Sequence, residues 1–174
     1  MAGCLNRESR RDAVKILACA CALATAPLLP APANAQAATD LTAFAGNNDV
    51  KAQIRAMLAE MKPDQGFMWR PLVRDGAQIA AIEVWKKPGR PAVHPADAEY
   101  AIVLEGAGTL VSGGTLAEPQ TRRADLVEGV RIVGGTTRSL APGDVILVPA
   151  GVPHWFGITG DRLVLLGIKL PRAQ

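Results

Sequence analysis

The spacing of hydrophobic and polar positions changes once along the body of this chain. From Asn48 to Met61 the apolar residues Val50, Ile54, Met57, Leu58 and Met61 share one face of a 3.6-residue repeat. Asn48 is placed to cap that helix and Pro63 to stop it. After Pro63 the texture becomes short β-prone runs separated by Gly and Pro. These predict strands over Gly66–Val73, Gln78–Lys86, Glu99–Leu104, Thr109–Ser112, Val130–Val133, Thr136–Leu140, Val145–Val148, His154–Ile158 and Leu163–Lys169. Asp75-Gly76, Gly113-Gly114 and Gly134-Gly135 read as turns, and the charged stretch Glu118–Glu128 as a long exposed excursion. Many short strands, with no second helical block and no linker, predict one all-β barrel or sandwich whose short N-terminal helix covers one end.

The first 35 residues have a different texture. Arg7, Arg10, Arg11 and Lys15 are followed by an apolar run, Ile16–Leu29, and then by Ala33-Asn34-Ala35. Basic, apolar and small-residue regions in that order form a secretory signal. The apolar run is short and alanine-rich against the roughly 20 apolar residues of a spanning helix. Ser9-Arg10-Arg11-Asp12-Ala13-Val14-Lys15 resembles a twin-arginine signal, with Ala13 where a bulky apolar residue is usual, so the general secretory route stays open. The expected organisation is a signal over 1–35, a tail and helix over 36–64 and a barrel over 65–174, in a periplasmic or secreted protein.

This segmentation changes the meaning of composition. All three cysteines (Cys4, Cys19, Cys21) lie in the signal, so the mature chain is expected to have no disulfide and no thiolate ligand. Of 19 basic and 16 acidic residues, the signal carries four basic and two acidic, leaving 15 against 14. A nearly neutral mature chain gives no electrostatic case for nucleic acid or for a membrane surface.

The chain has only two histidines, His94 and His154, and both lie in glycine-punctuated segments. From Gly143 it reads Gly-Asp-Val-Ile-Leu-Val-Pro-Ala-Gly-Val-Pro-His-Trp-Phe. Gly143, Pro149, Gly151 and His154 stand at the spacings of the second motif of the cupin superfamily, which this segment resembles. The first motif matches in part. His94 corresponds to the second histidine of its His-x-His pair, Glu99 to its glutamate and Gly106 to its glycine, whereas the first histidine is replaced by Ala92. The resemblance spans roughly Trp85 to Leu166. It implies a double-stranded β-helix, the jelly-roll barrel of cupins, with a metal ligated inside by residues of both motifs. Here those are His94, Glu99 and His154, and Gly106, Gly143 and Gly151 are the turn glycines. Two imidazoles and one carboxylate suit a divalent ion such as Fe, Mn, Ni or Zn and leave coordination positions open. The missing histidine equally fits a site that has stopped binding metal.

Each ligand candidate has a plainer structural role open to it: a carbonyl contact for His154, a rim position for His94, a solvated strand entry for Glu99. Trp155, Phe156, Arg70 and Tyr100 are candidates for lining a substrate pocket. One of Trp155 and Phe156 is expected to face the cavity, and Tyr100 to point away from Glu99. Arg70, Arg74 and Lys169 can bind a carboxylate or simply face solvent. Gly106, Gly108, Gly113 and Gly114 form no phosphate loop, because no helix follows them. The resemblance therefore implies a metal-dependent dioxygenase, lyase, isomerase or decarboxylase acting on a small molecule. The alternatives are a non-catalytic barrel that binds a small ligand without metal and, with less support, a metal carrier. A homodimer is expected through an edge strand containing Phe67–Trp69.

Overall fold

The computed structural model describes residues 39–171. The export signal expected over 1–35 lies outside the described residues. Those residues form one helix, α1 (Asn47–Glu60), and the strands β1 (Phe67–Asp75), β2 (Gln78–Trp85), β3 (Ala92–Val93), β4 (Asp97–Ser112), β5 (Thr115–Ala117), β6 (Gln120–Arg123), β7 (Leu126–Glu128), β8 (Arg131–Val133), β9 (Thr136–Leu140), β10 (Val145–Val148) and β11 (His154–Pro171).

β1 and β2 are an antiparallel hairpin that closes at the expected Asp75-Gly76 turn. β2 pairs with β11, and β11 runs antiparallel to β4 from His154 opposite Ser112 to Pro171 opposite Asp97. β4 also pairs with β9 and β10, and β3, β7 and β6 extend the sheet from β11. β5 and β8 form a small separate sheet. This is the all-β jelly roll that the sequence led us to expect.

Alternation along the strands divides the apolar residues between two cores. Ala101, Val103, Leu110, Leu140, Ile146, Val148, Phe156, Leu163 and Leu165 fill the barrel. Ile82, Val84 and Val164 point the other way and bury Ile54 and Met57 of α1 and Met61 just past its end. The helix thus uses its expected face, but it covers the outer side of the sheet rather than a barrel end. Its cap position is Gly46, not Asn48, and the Gly46 N–H donates to the Asp49 carboxylate at 2.9 Å.

Two further expectations are corrected. Glu99–Leu104 and Thr109–Ser112 are one strand, as are His154–Ile158 and Leu163–Lys169, because the β4–β11 ladder continues through irregularities in register. The excursion Glu118–Glu128 contains β6 and β7, which pair with each other, and β7 also pairs with β3.

Candidate functional site

Four side chains from three places in the fold meet in one cavity of about 650 Å³. His94 follows β3, Glu99 lies near the start of β4, and His154 and Lys169 belong to β11. Ladder pairing sets their positions. Glu99 stands opposite Lys169 on β11 and Val148 on β10, and His154 stands opposite Ala92 on β3. The Pro149–Pro153 turn that delivers His154 is tied to the other histidine, since Gly151 N–H donates to the His94 carbonyl at 2.8 Å. Gly151 has φ +81, in the left-handed region that glycine enters without penalty.

The two imidazoles are held by their outer nitrogens. His94 Nδ1 lies 2.9 Å from the Asp125 carbonyl, and His154 Nδ1 lies 3.2 Å from the Val152 carbonyl. A carbonyl only accepts, so each Nδ1 carries the proton, and in a neutral ring Nε2 presents a lone pair. Both Nε2 atoms face Glu99 Oε2, at 3.4 Å from His94 and 3.3 Å from His154. The candidate ligand atoms of His94, Glu99 and His154 all fall within 4.8 Å of one another. Three electron-pair donors aimed at one point favour a cation there. Lys169 supplies one: its Nζ lies 2.7 Å from His94 Nε2 and also donates to Glu99 Oε2.

Burial works against charge on Glu99, but the two imidazoles beside it and the positive charge of Lys169 together hold its carboxyl well below the usual range. A second buried carboxylate behaves in the opposite way. Burial, with repulsion from Glu99, raises Glu83 on β2 to about 7, although Lys169 and a 3.1 Å hydrogen bond from Trp85 Nε1 favour its ionised form.

Phe67, Trp69, Trp85, Phe156 and Ala92 also line the cavity. Phe156 is the inward member of the Trp155-Phe156 pair, with its ring 5.9 Å from that of His154. Trp155 touches the rim and donates to the Gly89 carbonyl at 2.9 Å. Arg70, expected as a pocket residue, points to α1 and pairs with Glu60, because it alternates with the inward Trp69. Tyr100 is exposed on the outer face, pointing away from inward Glu99 as expected, and so does not line this cavity. Lys169 had the signal of a lone cation in an apolar strand. Glu83 gave none, since a single acid in an alternating strand reads as solvent-facing.

The family model described as Cupin matches residues 89–169. No curated protein matches the sequence significantly. Among solved structures, the DMSP lyase DddQ of Ruegeria pomeroyi is 18% identical, covering 68% of its own chain and 78% of this one, with a TM-score of 0.50. TT1209 of Thermus thermophilus is 20% identical over 68% of this chain and 95% of its own, at a TM-score of 0.47. KdgF of a Halomonas species is 18% identical over 65% and 87%, at 0.44. At such identities the likeness concerns the fold alone.

Proposed function

We propose that this chain, which the Cupin family model matches over residues 89–169, is a cupin whose barrel holds a divalent metal ion on His94, Glu99 and His154 and works as a metal-dependent enzyme, of the dioxygenase, lyase or isomerase type, on a small molecule. The observation that carries this reading is the convergence of two Nε2 lone pairs and a carboxylate oxygen, each imidazole oriented by a backbone carbonyl behind it. The donor set fits a divalent ion of the Fe, Mn, Ni or Zn kind. The chemistry supplied there would be Lewis acidity toward an oxygen of the substrate.

The chain's own residues do the rest. Asp125 and Val152 fix the ring orientations. Lys169 neutralises Glu99 until a metal takes its place. Phe156 and Trp85 give the cavity apolar walls. Glu83, raised to about 7, is placed to hold or give up a proton within the same cavity near neutral pH. The basic, apolar and small-residue order over 1–35 supports export to the periplasm or beyond. The place of β1 at the end of the sheet order among the described residues supports pairing as a homodimer, and a monomer by light scattering would remove that part of the reading.

One observation favours a second reading. The Lys169 ammonium already satisfies His94 and Glu99, which suits a metal-free barrel that binds a small ligand without turnover. Titration of Mn, Fe, Ni, Co and Zn into chelator-treated protein separates the two. The enzyme reading expects near-stoichiometric uptake of one of these ions, weakened at least about tenfold in His154→Gln. No uptake by the wild-type protein selects the metal-free barrel.

A further inference from the structure

The inward face of the β1–β2 hairpin carries a patch of four residues that the ligand cluster does not use. Phe67 stands opposite Trp85, and Trp69 stands opposite Glu83. The Phe67 and Trp85 rings are 4.2 Å apart and tilted by 41°. Trp85 Nε1 donates to Glu83 Oε2, whereas no hydrogen-bond donor among the described residues reaches Oε1. That oxygen lies 2.7 Å from where a Cβ on Gly167 would stand, so the glycine makes room for the carboxylate. Glu83 is 9% exposed, but Phe67 and Trp69 remain 40% and 46% exposed although they line the cavity.

The patch thus sets three aromatic rings beside one carboxylate. Aromatic faces attract cations through the ring quadrupole. A buried carboxylate with a single donor lacks compensation for its charge. Lys169, which favours the ionised form of Glu83 through space, spends its hydrogen bonds on His94 and Glu99. A hard inorganic cation would want several oxygen ligands, and ring faces offer none. A neutral apolar ligand would cover Glu83 without meeting its charge.

We propose that Phe67, Trp69, Trp85 and Glu83 form a recognition subsite for a small organic cation, an alkylammonium or sulfonium group. The subsite shares its cavity with the ligand cluster of the metal reading but needs no metal, so each idea survives failure of the other.

The test is tetramethylammonium chloride titrated into chelator-treated protein at constant ionic strength, read by tryptophan fluorescence. Controls are sodium chloride and tert-butanol, a neutral group of similar shape. The expected result is a saturable change with tetramethylammonium, none with sodium chloride and a response about tenfold weaker with tert-butanol. Glu83→Gln should weaken the cation about tenfold, and half-exposed Trp69→Leu, which removes a ring without emptying the core, should do the same. An equal response to tert-butanol would reduce the patch to an apolar wall and overturn the proposal. So would the absence of saturation. A signal that follows protein concentration instead of cation would make the face a contact between copies, and overturn it too.

Discussion

Lys169 Nζ donates hydrogen bonds to His94 Nε2 and Glu99 Oε2, the same atoms that would face a metal. Ammonium and divalent ion therefore compete for one place, and a metal enters only by breaking two charge-assisted hydrogen bonds. Such bonds contribute about 1.5–3 kcal/mol each. Part of that loss is regained when the freed ammonium reaches solvent. Lys169→Met keeps the aliphatic stem and removes the competitor. It is expected to bind divalent metal about tenfold tighter or more, by calorimetric titration at fixed pH. Unchanged or weaker binding would mean that Lys169 holds Glu99 in its ligating position instead of blocking it. Ala92 is placed differently: it lines the cavity opposite His154 and blocks nothing, so the missing motif histidine leaves space in the site.

At the scale of elements, glycines explain why some strands were hard to read. Gly106 sits inside β4 with φ +82, and a Cβ there would lie 2.0 Å from the Arg162 carbonyl oxygen on β11. It marks an irregularity where two long strands approach closely, yet in sequence it reads as a turn that ends one strand before another begins. Gly106→Ala sets side chain against backbone in a disfavoured conformation and is expected to cost about 3 kcal/mol or more in chemical denaturation. A loss under about 1 kcal/mol would show that the β4–β11 ladder gives way at this point. The same long ladder joins the strand pairs that local patterns separated. β6 was missed for a related reason: Gln120–Arg123 is polar and fully exposed, so only its pairing with β7 makes it a strand. That hairpin supplies the Asp125 carbonyl behind His94, so part of the site rests on a segment that looked like a loop. The histidines and Glu99 were legible because motif spacing carries them. Glu83, Trp69 and Trp85 were not, because cross-strand register decides what they face.

At the scale of the whole molecule, the two buried carboxylates give stability opposite pH dependences in adjacent windows. Glu99 lies well below its ordinary value of 4.5, so its stabilising contribution is present above that value and is lost as pH falls. Glu83 is raised from 4.5 to about 7, so its contribution is complete below 4.5 and is lost as pH rises through about 7. Between those values the folded protein binds more protons at Glu83 than the unfolded chain does, and the stability curve slopes downward with pH. The Glu83 shift accounts for roughly 3 kcal/mol at most across that window. Chelator-treated protein should therefore be most stable near the lower end of the window and lose stability toward neutrality. Glu83→Gln keeps the shape and an oxygen for the Trp85 N–H but cannot ionise. It should flatten the slope between pH 4.5 and 7 while leaving the acid limb, to which Glu99 contributes, in place. Urea denaturation at half-unit steps of pH reads this directly. A slope that persists in Glu83→Gln would assign the pH dependence to other groups and leave Glu83 ionised in the wall of the cavity.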